Sequence, residues 1–111
     1  MPDHLNRYWY LVGHKAIPTN DVKKWEKSWH PVSKRVVAQE MVEGVYVSTV
    51  FLGIDHSFGG DVPLLFETMI VPPEEATNAY GEQWRWPTWD AAEAGHKAIV
   101  HAILNGLEIP E

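Results

Sequence analysis

Four polar residues occupy positions in the sequence where their side chains could take part in chemistry. Asp55 and His56 directly follow a long apolar segment, Glu67 interrupts the apolar run Leu64–Val71, and His96 lies on the apolar side of a helical segment. Two imidazoles and two carboxylates can serve as general acids and bases, or as ligands of zinc, manganese or iron. If these residues converge, they form the candidate polar site of this protein.

The loop position of Asp55 and His56 allows two interpretations. Asp55 can form an Asx turn with His56 as an ordinary loop residue, or its carboxylate can orient the imidazole for catalysis. The neighbouring glycines Gly53, Gly59 and Gly60 also permit an anion-binding nest of backbone N–H groups.

Glu67 and His96 likewise have structural and functional interpretations. Glu67 needs a basic partner if it faces inward and has no functional meaning if it faces solvent. A single histidine on an apolar helix face is more often a hydrogen-bonded core residue than a base or a ligand. No metal-binding spacing such as HExxH is present, so we assign no metal and leave the cofactor unknown.

Aromatic residues cluster just before the C-terminal helix, at Tyr80, Trp84, Trp86 and Trp89. They can pack into the core and fix the start of the helix. Alternatively, they form an exposed aromatic surface that stacks a ligand or contacts a second subunit, since Trp and Tyr are favoured at interfaces.

The hydrophobic pattern predicts the elements that position these residues. Alternating apolar runs predict strands, apolar residues at helical spacing predict helices, and Glu43-Gly44 predicts a tight hairpin turn. The predicted strands are Tyr8–Gly13, Arg35–Val42, Val45–Ile54, Leu64–Val71 and Gln83–Trp86; the predicted helices are Asn20–Trp29, capped by Asn20, and Trp89–Leu104, capped by Thr88. We therefore expect a single α+β domain, an antiparallel meander of about four to five strands packed against the C-terminal helix, with a short N-terminal helix.

Three segments resemble a family of small phage and prophage proteins of unknown function: Val47–Gly60 (VSTVFLGIDHSFGG), Pro63–Ile70 (PLLFETMI) and Trp84–Val100 (WRWPTWDAAEAGHKAIV). The resemblance covers most of the chain, and its LGIDH, LFETM and AGH motifs contain the four polar residues. It implies a setting in an infected or lysogenic bacterial cell and implies no particular reaction.

Composition limits the classes of function. The formal net charge of −6 disfavours nucleic acid as a partner, and the basic residues between Lys23 and Arg35 are preceded by Asp21 and interrupted by Glu26, as on a solvated face. The absence of cysteine excludes thiol chemistry and fits a reducing cytoplasm. Without a predicted signal peptide or membrane span, we expect a cytoplasmic protein of the bacterial host cell.

Three functional hypotheses follow. The favoured one is an accessory protein that binds a host protein or a small ligand, as a homodimer. The second is a small hydrolase or nucleotide-processing enzyme in which His56 or His96 acts as the base, with or without a metal. The third is a minor virion or assembly component.

Overall fold

Two antiparallel sheets and one long helix make up the fold. The computed structural model describes residues 8–57, 60–71 and 82–109. In chain order the elements are β1 (Tyr8–Val12), β2 (Lys15–Thr19), α1 (Val22–Lys27), a 3-10 turn (Val32–Arg35), β3 (Val36–Val42), β4 (Val45–Phe51), β5 (Phe66–Val71), β6 (Gln83–Trp86) and α2 (Trp89–Leu104). The predicted α+β architecture, a meander packed against the C-terminal helix, is confirmed.

The larger sheet has the order β3-β4-β5-β6, and every pair is antiparallel. The turn between β3 and β4 consists of Glu43 and Gly44, whose φ angles of 49° and 86° are both positive. Positive φ at both central residues is the mark of a type I′ turn, whose twist matches that of the strands. This turn sets Val42 opposite Val45 and fixes the register of the hairpin.

One face of this sheet packs against α2, and we call it the inner face. Side chains alternate along a strand, so Val47, Thr49 and Phe51 of β4 are buried there. The opposite, outer face carries the intervening residues, among them Val50 and Glu67, which are paired across β4 and β5.

Helix α2 begins where the sequence predicts. The Thr88 side chain accepts a hydrogen bond from the Ala91 backbone N–H at 3.1 Å, and Gly106 follows the helix with a φ of 64°. Both are standard helix-end features, since Thr satisfies a free N–H and Gly accommodates a positive φ. In the described parts of the chain, no helix is both long and apolar enough to cross a membrane.

The N-terminal part differs from the sequence prediction. Lys15–Thr19 forms a strand that we did not predict, so β1 and β2 make a separate two-stranded sheet. Helix α1 is shorter than predicted and is capped by Asp21, whose carboxylate accepts the Lys24 N–H, rather than by Asn20. Pro18 concealed β2, because proline is tolerated only at positions where no ladder donor is needed.

Gly53 joins the two sheets. Its carbonyl accepts hydrogen bonds from the Trp9 backbone N–H at 2.9 Å and from the Trp25 indole N–H at 3.0 Å. Its φ of 77° favours glycine. This bend ends β4 at Phe51, short of the predicted Ile54, and places β1 against the core residues Phe51 and Phe66.

Candidate functional site

His96 lies in a continuous hydrogen-bond chain between α2 and the inner face of the sheet. Its Nδ1 lies 2.7 Å from the Thr49 hydroxyl, and its Nε2 lies 2.8 Å from a carboxylate oxygen of Glu40. Thr49 contacts the Thr68 hydroxyl at 2.6 Å, and Thr68 accepts the indole N–H of Trp86 at 2.9 Å. We call these five residues the His96 network.

With a neutral imidazole at His96 and an ionised carboxylate at Glu40, the donors and acceptors of the His96 network form one consistent proton order. An ionised Glu40 can only accept, so the Nε2–H of His96 donates to it. Nδ1 then accepts from Thr49, Thr49 accepts from Thr68, and Thr68 accepts from Trp86. Every polar hydrogen in the chain has an acceptor, as buried polar groups require.

The burial of the His96 network limits its possible chemical roles. Thr49 and Thr68 are fully buried, and His96 is 2% exposed. A general base must come within hydrogen-bond reach of the substrate, and no substrate can approach an imidazole enclosed between a helix and a sheet. His96 is therefore a hydrogen-bonded core residue, the more common of its two sequence interpretations.

Glu67 lies on the outer face and forms a cross-strand ion pair. Its carboxylate contacts the Nε of Arg85 at 3.2 Å, and the two residues are directly opposite each other in β5 and β6. Thr68, the next residue, points to the inner face, so Glu67 and His96 lie on opposite sides of the sheet.

Asp55 and His56 lie in the loop after β4. The Asp55 carboxylate accepts the backbone N–H groups of Ser57 at 2.7 Å and Leu64 at 3.1 Å, so it forms an Asx turn and ties the loop to the start of the next segment. Burial acts to raise the pKa of Asp55, but the hydrogen bonds from Ser57 and Leu64, together with the nearby His56, outweigh it, and the pKa lies below its ordinary value of 3.8. Gly59, part of the suggested anion nest, is outside the described residues.

The four polar residues thus do not converge in one site. The condition for the candidate polar site is not met by Glu67 and His96, because alternation along β5 places Glu67 on the outer face and His96 contacts the inner face. Across residues 8–57, 60–71 and 82–109, no three His, Asp or Glu side chains are grouped as metal ligands would be. What Asp55 and His56 do beyond ordering their loop stays a prediction.

The aromatic cluster packs largely inside the protein. Trp89 is 8% exposed, and its ring contacts Phe66 edge-on with 6.1 Å between ring centroids. Trp86 is half-buried, bonded to Thr68 and packed over Gly95, and Trp84 packs against the buried cluster of Val42, Val47 and Ile99. Of the two interpretations of these tryptophans, core packing therefore fits better, while Tyr80 lies outside the described residues.

The structure instead contains an apolar cleft of about 660 Å³ between the β1–β2 hairpin, the segment before β5 and the start of α2. Its walls are mainly apolar, with polar groups at the rim. The lining residues are Trp9, Val12, His14, Lys15, Ala16, Val62, Pro63, Leu65, Phe66, Pro87, Thr88, Trp89 and Asp90. None of the four polar residues discussed above belongs to this lining.

Two features distinguish the aromatic residues around the apolar cleft. The imidazole ring of His14 stacks on Trp89 with 3.8 Å between centroids and 5° between planes, which brings the hairpin tip against α2. The indole nitrogens of Trp9 and Trp89 are buried without a hydrogen-bond partner among the described residues. Buried donors usually have a partner, so these two N–H groups are exceptions within the core.

Sequence reasoning did not detect this cleft, because one wall is the β1–β2 hairpin that it missed. It also missed Glu40 as the partner of His96. The alternation of side chains along β3 is a sequence signal for Glu40, because it places Glu40 on the inner face together with Ala38 and Val42. The cleft has no comparable sequence signal, since its walls lie far apart in the chain.

Comparison with models of known protein families, with curated proteins and with solved structures gave no significant match.

Proposed function

We propose that this protein binds a small, largely apolar molecule in the apolar cleft and does not catalyse a reaction. The observation that carries the proposal is the cleft itself. Its volume of about 660 Å³ falls within the range of about 300–1,000 Å³ that is typical of small-molecule sites. Such sites combine apolar walls with a few polar groups that orient the ligand.

The polar groups of the cleft suggest how a ligand would be oriented. The stacked rings of His14 and Trp89 offer a flat aromatic edge, and an aromatic or aliphatic body would displace water from Val62 and Pro63 of the same lining. The exposed polar residues of the lining, His14, Lys15 and Asp90, would orient polar groups of the ligand.

The enzymatic alternative has less support. Of the two histidines considered as bases in the sequence, His56 and His96, His96 is enclosed in the core, which leaves His56. Neither His56 nor Asp55 lines the cleft, which separates the remaining candidate base from the cavity that could hold a substrate.

A phage or prophage setting and a homodimeric state are parts of the same proposal. The resemblance of the LGIDH, LFETM and AGH motifs supports the first. The outer face of the sheet supports the second, because Met41 is 67% exposed and Val71 is 41% exposed there, beside half-buried apolar neighbours.

The experiment is a fluorescence titration with N-phenyl-1-naphthylamine, a neutral apolar probe. We expect saturable binding to the native protein and an affinity weakened about tenfold by Val62→Asp, which places a charge at the mouth of the cleft. Val32→Asp is the matched control, since Val62 and Val32 are both 57% exposed and only Val62 lines the cleft. No saturable binding, or equal weakening by the two variants, would contradict the proposal.

A further inference from the structure

A second cavity, of about 290 Å³, lies between the C-terminal half of α1, the 3-10 turn and the end of β4. We call it the basic cavity. Its polar lining consists of Lys24, Lys27, Ser28, His30, Lys34 and Arg35. Leu11 and Phe51 are the other described residues of the lining, so no carboxylate of the described residues belongs to it.

The sequence obscures this concentration of charge. Along the chain, Asp21 and Glu26 are interspersed with the lysines. In the helix, however, Lys24 and Lys27 are three residues apart and therefore lie on the same side of α1. Asp21 is turned away as the helix cap, with its carboxylate on the Lys24 N–H. The cavity therefore gathers four of the nine lysines and arginines of a chain whose net charge is −6.

The cations of the basic cavity have no ion-pair partner among the described residues. Within the described ranges, the ion pairs are Arg85–Glu67, His96–Glu40 and Lys97–Glu93, and none of them includes a residue of this cavity. Like charges gathered without counter-charges repel each other, so a bound anion would stabilise the group.

Arg35 is held in place at the cavity wall. Its guanidinium lies over the Trp29 ring at 3.5 Å from the centroid, and its Nη2 donates to the Phe51 carbonyl at 3.2 Å. Its Nε is buried and has no hydrogen-bond partner in the part of the chain that the structure describes. Burial also lowers the pKa of Arg35, as expected for a desolvated cation without a counter-charge.

We propose that the basic cavity binds the phosphate or diphosphate group of a small phosphorylated molecule. A fixed guanidinium flanked by lysines is a common way to recognise phosphate, because arginine supplies directed N–H donors and lysine adds charge. The site is distinct from the apolar cleft, and its ligand class does not depend on the function proposed there.

The size of the basic cavity and the net charge favour a small ligand over nucleic acid. A volume of about 290 Å³ can hold a phosphate or diphosphate group and leaves little space for further ligand atoms. A polyanion extending beyond the cavity would meet a surface whose net charge is negative, which opposes its binding.

The test is a calorimetric titration with pyrophosphate, inorganic phosphate and acetate at matched ionic strength. We expect affinity to fall in that order, because the Coulomb attraction falls with the charge of the anion. We also expect the double variant Lys27→Gln/Lys34→Gln to weaken pyrophosphate binding by about tenfold or more. Equal affinity for acetate and pyrophosphate, or no detectable binding, would overturn the proposal.

The matched control is Lys23→Gln/Lys97→Gln. It removes the same number of charges, one from α1 and one from α2, at residues that do not line the basic cavity. We expect it to leave pyrophosphate affinity within about twofold of the native value, since distant exposed charges are screened by salt. If both double variants weaken pyrophosphate binding equally, the attraction is diffuse and the proposal is wrong.

Two further measurements locate the ligand and define its class. In an NMR titration, pyrophosphate should shift the side-chain Nε–H signal of Arg35 and the indole signal of Trp29, and leave that of Trp89 in place. A single-stranded oligonucleotide that bound more tightly than pyrophosphate and lost affinity in Lys27→Gln/Lys34→Gln would overturn the small-ligand assignment in favour of nucleic acid.

Discussion

At the scale of single residues, His96 illustrates how a polar side chain can be buried in an apolar region. Its two ring nitrogens have one acceptor and one donor, Glu40 and Thr49, so the imidazole loses little by leaving water. Glu40 connects this chain of hydrogen bonds to solvent, since its side chain is 48% exposed. The histidine therefore fixes the position of α2 on the sheet.

Thr49→Val should destabilise the protein without changing its core volume. Valine has nearly the shape of threonine, but the substitution leaves His96 Nδ1 and the Thr68 hydroxyl without their shared partner. We expect the free energy of unfolding to fall by about 1–3 kcal/mol, measured by urea denaturation.

Ser48→Ala is the control for this prediction. It removes a hydroxyl from the same strand on the outer face, where Ser48 bonds Gln39 in an exposed position. We expect Ser48→Ala to change the free energy of unfolding by no more than about 0.5 kcal/mol. A Thr49→Val protein as stable as Ser48→Ala would show that the His96 network does not hold the helix.

Asp55 should make stability depend on pH. Its pKa in the folded protein is lowered, so its contribution is fully present above the unfolded pKa and is lost as pH falls through the folded value. Below about pH 4 the native protein should therefore lose stability more steeply than Asp55→Asn, whose amide oxygen can still accept both N–H groups.

Unfolding free energies measured at a series of pH values between neutrality and acid would test this prediction. Asp61→Asn serves as the control, because it removes an exposed carboxylate from the same loop. Parallel pH profiles for the native protein and Asp55→Asn would mean that the Asx turn does not bind the ionised carboxylate preferentially.

At the scale of elements, the contact between α2 and β6 depends on the absence of a side chain at Gly95. A Cβ on this residue would overlap the ring of Trp86. The ring has little freedom to move, because its indole N–H is bonded to Thr68. The close approach of α2 and β6 thus explains why this helix position is occupied by glycine, although glycine has a low helix propensity.

Gly95→Ala is expected to destabilise the protein. Alanine favours a helix by about 1 kcal/mol over glycine, but overpacking a well-filled core costs about 1–3 kcal/mol, and a direct overlap with a held ring should outweigh the propensity gain. Thermal and urea unfolding measure the net effect.

A double-mutant cycle separates the two contributions. In a Trp86→Phe background the smaller ring leaves room for the added methyl group, so Gly95→Ala should cost less there or even stabilise the helix. A penalty of equal size in both backgrounds would place its origin in the helix itself and not at the contact with Trp86.

At the scale of the whole molecule, the described part of the chain covers the four-stranded sheet with a helix on its inner face and leaves its outer face without one. The outer face presents Met41, Tyr46, Val50, Met69 and Val71 around the Glu67–Arg85 pair. If two copies associate through this face, Met41→Lys should shift the protein from dimer to monomer in sedimentation equilibrium, because it places a charge in the interface.

Leu104→Lys is the control for the dimer prediction. Leu104 is 57% exposed at the end of α2, away from the outer face, so its substitution should leave the dimer intact. A native protein that sediments as a monomer at high concentration would remove the homodimer from the proposal.

The two cavities also belong to this scale. Each is formed by segments distant in sequence: the apolar cleft by the first hairpin, the loop before β5 and the start of α2, and the basic cavity by α1 and the end of β4. Their different linings predict that a neutral apolar probe and pyrophosphate bind independently of each other.

Local sequence determined the elements whose signals are themselves local. The Glu43-Gly44 turn, the cap at Thr88 and the apolar stripe of α2 each act over a few residues, so they could be recognised without knowledge of the fold. The direction of His96 toward the sheet follows from the same stripe.

The tertiary structure alone determined which side chains from distant segments contact each other. The register between β4 and β5 determines that Thr68, not Glu67, shares a face with His96, and a shift of one residue would have exchanged them. Pairing between strands and docking of the hairpin depend on contacts between distant segments, whose energies no short stretch of sequence contains. For that reason the sequence established the framework of this protein, while the location of its cavities was set by the folded chain.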